Sequence, residues 1–364
     1  MKRSLRYKTI VTLFTIVIIS PFRSAEPDPL SENKEEDISI STMIPKQRGV
    51  CWVAMPHPIE ESDFLPLLMN NIQWINQTPF AFQREHDSPE LKYFTDDYVW
   101  WGERDIGIET TTAMAKELGI KSLLKPHIWM HANHSGKWRA EIGMKNEQDW
   151  QKWFSQYRQF ILHHARLAQK TGIEVLCIGT ELLTTVQERE ADWRQLISEV
   201  RQVYRGKLTY AANWHQEFEV VSFWDQLDYI GIQAYFPLTD QENPSLQDLM
   251  RGWKPYLSKI EQLQQKYQKP VIFTEIGYKN GSDAAIQPWK WNNSTSGSDE
   301  EGLQTQAVCY EAFFRTFWDK EWFAGVYFWK WFPNPDKVPH FEERDFTPQQ
   351  RPAEKILAKW FAEE

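Results

Sequence analysis

Two glutamates follow apolar runs that are typical of buried strands. Glu181 comes directly after VLCIGT (residues 175–180), and Glu275 comes directly after VIFT (residues 271–274). The carboxyl ends of parallel strands meet at one face of a barrel, so two such carboxylates can face each other there. One carboxyl group of such a pair can protonate a leaving oxygen while the other attacks an anomeric carbon. The pair therefore indicates a site for cleaving a glycosidic bond.

Each glutamate alone also has a purely structural explanation. Glu181 could begin a helix, where the dipole favours a negative charge. Glu275 could form a salt bridge inside a barrel, with Lys125 or Lys330 as its partner. Outside the enzymes, the alternative is a barrel that binds glycans without cleaving them. For an enzyme, a carboxyl separation of about 5–5.5 Å would indicate retention and about 6.5–9.5 Å inversion.

Apolar runs alternate with amphipathic helical patterns along most of the chain, which predicts the elements that position these glutamates. The predicted strands are residues 50–54, 71–75, 122–125, 175–179, 208–212, 229–233, 271–274 and 325–328. Eight strands alternating with helices predict an α/β fold, a (β/α)8 TIM barrel, as a single domain over residues 47–364. A doubly wound open sheet is disfavoured, because CWVAMPHP after the first strand has no Gly-rich phosphate turn. Long loops at 76–105, 126–146 and 276–300 follow strands, on the side where barrel enzymes keep their sites.

The N-terminus has the composition of a targeting segment. Four basic residues within the first eight precede the apolar run TIVTLFTIVIIS at residues 9–20. This pattern predicts a signal peptide or an uncleaved signal anchor over residues 1–25. Residues 26–46 are polar and contain proline, which predicts a flexible linker. We therefore expect a secreted or periplasmic protein, with membrane binding limited to a possible N-terminal anchor.

Composition limits the classes of ligand. The formal charge is −9 and no basic block follows the N-terminus, which disfavours nucleic acid and anionic membranes as partners. Most of the 19 tryptophans can be explained by core or surface packing, but several cluster near predicted strand ends. This clustering favours a polysaccharide, because an indole face packs on the apolar face of a sugar ring. His127, His131 and His134 lie in HIWMHANH, which lacks a metal-binding spacing, so we expect neither a metal nor another cofactor. We expect a monomer.

Five segments together resemble Glycoside Hydrolase Family 113 of clan A. They are CIGTELL, AANW, IGIQAYFPL, FTEIGY and YFWKW, and the resemblance covers roughly residues 48–335. The known members are (β/α)8 barrels and mainly endo-β-1,4-mannanases. The resemblance implies a retaining enzyme acting on β-mannan, with Glu181 as acid/base and Glu275 as nucleophile. Exo-action, or another β-glycan as substrate, remains the alternative among enzymes.

The resemblance also implies a set of substrate-binding residues. Tyr235 matches the tyrosine that holds the nucleophile by a hydrogen bond. Many clan A enzymes have asparagine before the acid/base, but Thr180 stands there, so either Thr180 or Asn213 is expected to bind the sugar 2-hydroxyl. The remaining candidates lie at predicted strand ends, where clan members contact sugar: Trp214, Trp329, His127 and Trp129. Trp331 is also a candidate, but only one of Trp329 and Trp331 is expected to face the barrel axis, and Trp329 is preferred.

Overall fold

A closed barrel of eight parallel strands is the centre of the structure, a computed structural model that describes residues 45–131, 134–290, 300–338 and 345–363. The strands in chain order are β1 (Gln47–Trp52), β2 (Trp74–Gln77), β3 (Phe80–Gln83), β4 (Leu91–Tyr93), β5 (Lys121–Leu124), β6 (His127–Met130), β7 (Val175–Thr180), β8 (Lys207–Asn213), β9 (Ile230–Gln233), β10 (Val271–Ile276) and β11 (Phe323–Trp331). The barrel runs β1-β2-β5-β7-β8-β9-β10-β11 and closes between β11 and β1.

Helices surround the barrel and follow its strands in the chain. They are α1 (Leu65–Met69), α2 (Asp105–Glu117), α3 (Glu147–Thr171), α4 (Leu183–Glu188), α5 (Glu190–Val203), α6 (Glu217–Val220), α7 (Leu246–Tyr267), α8 (Glu300–Phe317) and α9 (Pro352–Ala362). The longest, α3, begins after Asn146, whose side chain accepts a hydrogen bond from the Asp149 N–H, and ends at left-handed Gly172. The TIM-barrel prediction is confirmed, and each predicted strand overlaps one barrel strand, with ends shifted by at most three residues.

The structure contains a second, three-stranded sheet that the sequence patterns do not predict. It has the order β4-β3-β6 and lies within the two segments predicted as loops, 76–105 and 126–146. Its strands have only three or four residues, which is too short for an alternating pattern to stand out. Pro126 separates β5 from β6, so His127 and Trp129 belong to this sheet and do not end a barrel strand as predicted.

Shifts in pairing register occur near the carboxyl ends of β7, β10 and β11. In β7, Cys177 and Thr180 pair with Thr209 and Ala211 of β8, so two residues oppose one. The same one-residue excess occurs between positions 273 and 276 of β10 and between positions 328 and 331 of β11. An extra residue of this kind turns the side chains that follow it, and such irregularities are frequent beside active sites.

The core occupies the barrel interior and the layer between strands and helices. Buried residues in the interior include Cys51 and Cys177, whose thiols are free. In the described ranges, no helix is long and apolar enough to cross a membrane. The predictions for residues 1–25 and for nearly all of the linker at 26–46 lie outside the described residues.

Candidate active site

A cleft of about 900 Å³ opens at the carboxyl ends of the barrel strands. It brings together eight of the ten predicted site residues: His127, Trp129, Glu181, Asn213, Trp214, Tyr235, Glu275 and Trp329. Its wall also contains residues that the sequence reading did not select: Phe80, Gly136, Trp138, Arg139, His215, Trp289 and Phe346. The two predicted acids therefore share one cavity.

Glu275 is held at both carboxylate oxygens. The Tyr235 hydroxyl donates a hydrogen bond to Oε2 at 2.9 Å, and the Lys125 ammonium donates to Oε1. Lys125 is completely buried, and its Nζ also lies 3.3 Å from the Gln233 Oε1 and from the Thr274 carbonyl oxygen. The barrel salt bridge considered from the sequence thus exists together with the tyrosine contact. Both carboxylate oxygens of Glu275 are therefore held in position by hydrogen bonds.

Tyr235 is suited to remain a neutral donor. Burial raises the pKa of Tyr235 well above 10, and the negative charge of Glu275 raises it further. The phenol consequently keeps its proton over the working range of an ordinary hydrolase. Its hydrogen bond fixes the direction in which Glu275 points.

Glu181 lies in a left-handed backbone conformation, with φ of 54°. Few residues other than glycine adopt this conformation, and such outliers concentrate at functional sites. The Asn213 side-chain amide donates to Oε1 at 2.6 Å, while Arg139 donates to Oε2 from Nε at 3.0 Å and also from Nη2. Burial opposes the charge of Arg139, but the adjacent Glu181 raises the pKa of Arg139 above its ordinary value. Arg139 was missed because an arginine in a polar loop belongs to no motif.

A buried carboxyl group supports the Glu181 region from behind. Glu217 is fully buried and accepts hydrogen bonds from the Asn213 backbone N–H at 2.7 Å and from the Tyr210 hydroxyl at 2.5 Å. The Leu182 N–H donates to the same Tyr210 oxygen at 2.8 Å. Burial raises the pKa of Glu217 to about 8. These hydrogen bonds connect the backbone of Asn213 directly, and that of Leu182 through Tyr210, to the buried carboxyl group of Glu217.

His127 lines the cleft and has one ring nitrogen without a hydrogen-bond partner among the described residues. This nitrogen, Nε2, is buried. The distance from this nitrogen to the Glu275 Oε1 is 3.8 Å, which is too long for a hydrogen bond. Burial lowers the pKa of His127 well below 6.5, and Lys125 and Arg139 lower it further. The imidazole is therefore neutral and can bond a substrate hydroxyl.

Tryptophans form much of the cleft wall. Trp214 and Trp289 stack with ring centroids 4.9 Å apart, and Trp329 lines the cavity from β11. Trp129 and Trp138 are 54% and 42% exposed, although large aromatic side chains are usually covered. Such surfaces suit the apolar faces of sugar rings.

Two predicted site residues do not reach the cleft. Thr180 is buried, with its hydroxyl 3.9 Å from the Cys177 sulfur, and Trp331 is completely buried in the core. The register shifts explain why both side chains lie away from the cleft. In β7 the shift precedes Glu181, so the side chain of Glu181 reaches the cleft and that of Thr180 does not. In β11 the shift separates Trp329 from Trp331, which would share a face in a regular strand. Of the two candidates for the 2-hydroxyl contact, only Asn213 lies in the cleft.

An aromatic-walled cleft with paired carboxylates on a (β/α)8 barrel is the arrangement of a glycoside hydrolase. The model of Glycoside Hydrolase Family 113 matches residues 60–361, and the chain belongs to this family. The resemblance found in the sequence is thereby confirmed. In the described ranges, no group of three histidine, cysteine or acidic side chains is placed to hold a metal ion.

Solved structures of the same family are similar to this chain over most of its length. A Family 113 β-1,4-mannanase solved as a complex has 26% identity and a TM-score of 0.72, covering 88% of this chain and 100% of its own. The β-mannanase AaManA from Alicyclobacillus acidocaldarius, in complex with ManMIm, has 26% identity and a TM-score of 0.73, with coverages of 87% and 97%. A β-glucuronidase from Ruminococcus gnavus, at 10% identity and a TM-score of 0.59 over 87% of this chain and 50% of its own, shares the fold. A search of curated protein sequences found no match.

Proposed function

We propose that this glycoside hydrolase is a retaining endo-β-1,4-mannanase that uses Glu275 as nucleophile and Glu181 as acid/base. The observation that carries the proposal is that the two glutamates have different hydrogen-bond partners. Glu275 is fixed between a buried ammonium and a phenol, which orients its carboxylate as a nucleophile. Glu181 has an amide on one oxygen and a partly exposed guanidinium on the other. Two similar solved structures are mannanases, which supports mannan as the substrate.

The reaction takes two displacements. Glu275 attacks the anomeric carbon while Glu181 gives its proton to the glycosidic oxygen, so the bond to the leaving sugar breaks and a glycosyl ester forms on Glu275. Glu181 then removes a proton from water, and the hydroxide attacks the same carbon and releases Glu275. The product keeps the β configuration.

Arg139 has a defined part in this scheme. In the second displacement Glu181 acts as a carboxylate base, and Arg139 holds its Oε2 in place through hydrogen bonds from Nε and Nη2. The first displacement needs a proton on Glu181, so the incoming sugar must separate the guanidinium from Oε2. The Arg139 side chain is 26% exposed, which leaves room for this movement.

Sugar recognition is proposed for the remaining cleft residues. Asn213 takes the 2-hydroxyl contact, because Thr180 is buried away from the cavity. His127 bonds a hydroxyl of the sugar at Glu275, and the tryptophans hold the glycan chain by stacking. The basic and apolar segments at residues 1–25 support action outside the cytoplasm.

Hydrolysis of a polysaccharide panel tests the proposal. The panel is linear β-mannan, glucomannan, xylan and carboxymethyl-cellulose, with products separated by size. We expect mannan to be cut to mixed oligosaccharides, Glu275→Ala to abolish the cut, and the exposed control Glu188→Ala to leave it intact. Single sugars alone would overturn endo-action. Cleavage of xylan or cellulose without mannan would overturn the substrate, and no cleavage of any polymer would overturn the enzymatic proposal.

A further inference from the structure

Aromatic side chains continue outside the cleft across the second sheet. Phe82 lies on β3, and Phe94 and Tyr98 lie in the segment that follows β4. The rings of Phe82 and Phe94 are 5.9 Å apart, and those of Phe94 and Tyr98 are 5.3 Å apart. We call these three residues the aromatic strip. Tyr98 is 78% exposed, so the outer end of the strip faces solvent.

The aromatic strip is continuous with the cleft wall. Phe80 and Trp129 both line the cleft, with ring centroids 6.0 Å apart. Phe82 is two residues after Phe80 on the same strand, so both side chains lie on one face of the sheet. Phe82 also pairs in register with Trp129 of the adjacent parallel strand, at the spacing of neighbouring strands. A ligand leaving the cleft over Phe80 and Trp129 therefore meets the strip next.

The surroundings of the strip suit a neutral, hydroxyl-rich ligand. Lys92 pairs with Phe82 across β3 and β4, and Asp96 and Asp97 precede Tyr98. Charges of both signs thus border the rings, so no electrostatic potential of a single sign attracts a charged ligand to the strip. Phe82 and Phe94 are half-buried and Tyr98 is exposed, so the strip leaves aromatic surface open to a ligand. Rings bordered by polar groups match the alternating apolar faces and hydroxyl edges of a β-linked glycan.

We propose that the aromatic strip binds the part of a β-mannan chain that extends beyond the catalytic cleft; this inference rests on the proposed function. The strip then contributes only to substrates that are long enough to leave the cleft over Trp129. Long chains gain affinity from it, whereas short oligosaccharides held wholly in the cleft do not. Loss of the strip changes the preference for chain length without changing the chemistry at Glu275.

Affinity electrophoresis in gels containing soluble β-mannan tests the proposal directly. The protein is the full chain carrying Glu275→Gln, which prevents turnover during the run. Tyr98→Ala and Phe94→Ala are compared with Tyr98→Phe, which keeps the ring, and with Met69→Ala, an 81% exposed apolar residue at the end of α1. We expect the dissociation constant for mannan to rise about threefold to tenfold in the two alanine variants, as for the loss of one aromatic contact, and to stay unchanged in both controls. Tyr98→Ala is the decisive variant, because its exposed side chain contributes little to folding.

A second measurement uses the active enzyme. The ratio of kcat/KM for mannan to kcat/KM for mannotriose should fall by the same factor in Tyr98→Ala. If Tyr98→Ala and Phe94→Ala bind mannan as tightly as the controls, the aromatic strip does not bind the glycan, and the proposed function stays intact. Absence of hydrolysis by the unmodified chain would instead remove the proposed function. A shift in sedimentation of Tyr98→Ala without a change in mannan binding would identify a contact between copies of the chain and overturn the glycan assignment.

Discussion

Replacing Tyr235 by phenylalanine removes a single hydrogen bond at the proposed nucleophile. The phenol donates to the Glu275 Oε2 at 2.9 Å, and no shape change accompanies its loss. A hydrogen bond to a charged group is worth about 1.5–3 kcal/mol, or roughly 10–150-fold in rate. Because Lys125 continues to hold Oε1, we expect kcat on β-mannan to fall about 10–50-fold, with a smaller change in KM.

Tyr204→Phe provides a matched control for this prediction. Its hydroxyl also makes a buried hydrogen bond of 2.9 Å, to the Ile173 carbonyl oxygen, at the amino-terminal end of the barrel. We expect this variant to lose about 1 kcal/mol of unfolding free energy and to keep its kcat. The assay is steady-state hydrolysis of mannan, together with urea unfolding of both variants. A kcat for Tyr235→Phe within twofold of the unmodified chain would refute the role assigned to the phenol, and equal losses in both variants would indicate a general effect on the fold.

Three further perturbations test neighbouring parts of the site. Lys125→Met leaves the Glu275 carboxylate buried without its cation, so the free energy of unfolding at pH 7 should fall by about 3–5 kcal/mol in a urea titration; a loss below 1 kcal/mol would contradict this reading of the pair. Arg139→Met removes the hydrogen bonds that the guanidinium donates to the Glu181 Oε2, so kcat on β-mannan should fall about tenfold, and a kcat within twofold of the unmodified chain would count against this role. Burial raises the pKa of Glu217 to about 8, from an ordinary value of 4.5. The contribution of Glu217 to the free energy of unfolding is therefore fully present below pH 4.5, and it is lost as pH rises through 8. Glu217→Gln lacks this titration, so the stability of the unmodified chain relative to the variant should decline between pH 5 and 8 in urea unfolding, and a difference independent of pH would exclude the assignment.

The barrel and the two acids follow from the sequence because their signals are local. Each barrel strand is an apolar run followed by a helical pattern, and Glu181 and Glu275 come directly after such runs. The lysine contact of Glu275 was among the alternatives, since Lys125 also lies at the end of a predicted strand.

The remaining features depend on contacts that no local pattern records. Arg139 reaches Glu181 from a loop 42 positions away in the chain. Thr180 and the less favoured candidate Trp331 lie away from the cleft, because a register shift of one residue changes which side chains reach it. Strand propensity does not reveal such a shift. The second sheet was overlooked because three- and four-residue strands carry too little periodicity.

The proposed mechanism depends on the glycosyl ester that Glu275 forms, and the product that Glu275→Ala makes with azide shows whether Glu275 is the nucleophile. The alanine leaves a space on the face of the sugar opposite the leaving group, where the azide ion can attack the anomeric carbon of an activated aryl β-mannoside. The double-displacement mechanism predicts that azide restores turnover and that nuclear magnetic resonance shows an α-mannosyl azide. A β-mannosyl azide, or no restoration of turnover by azide, would contradict it.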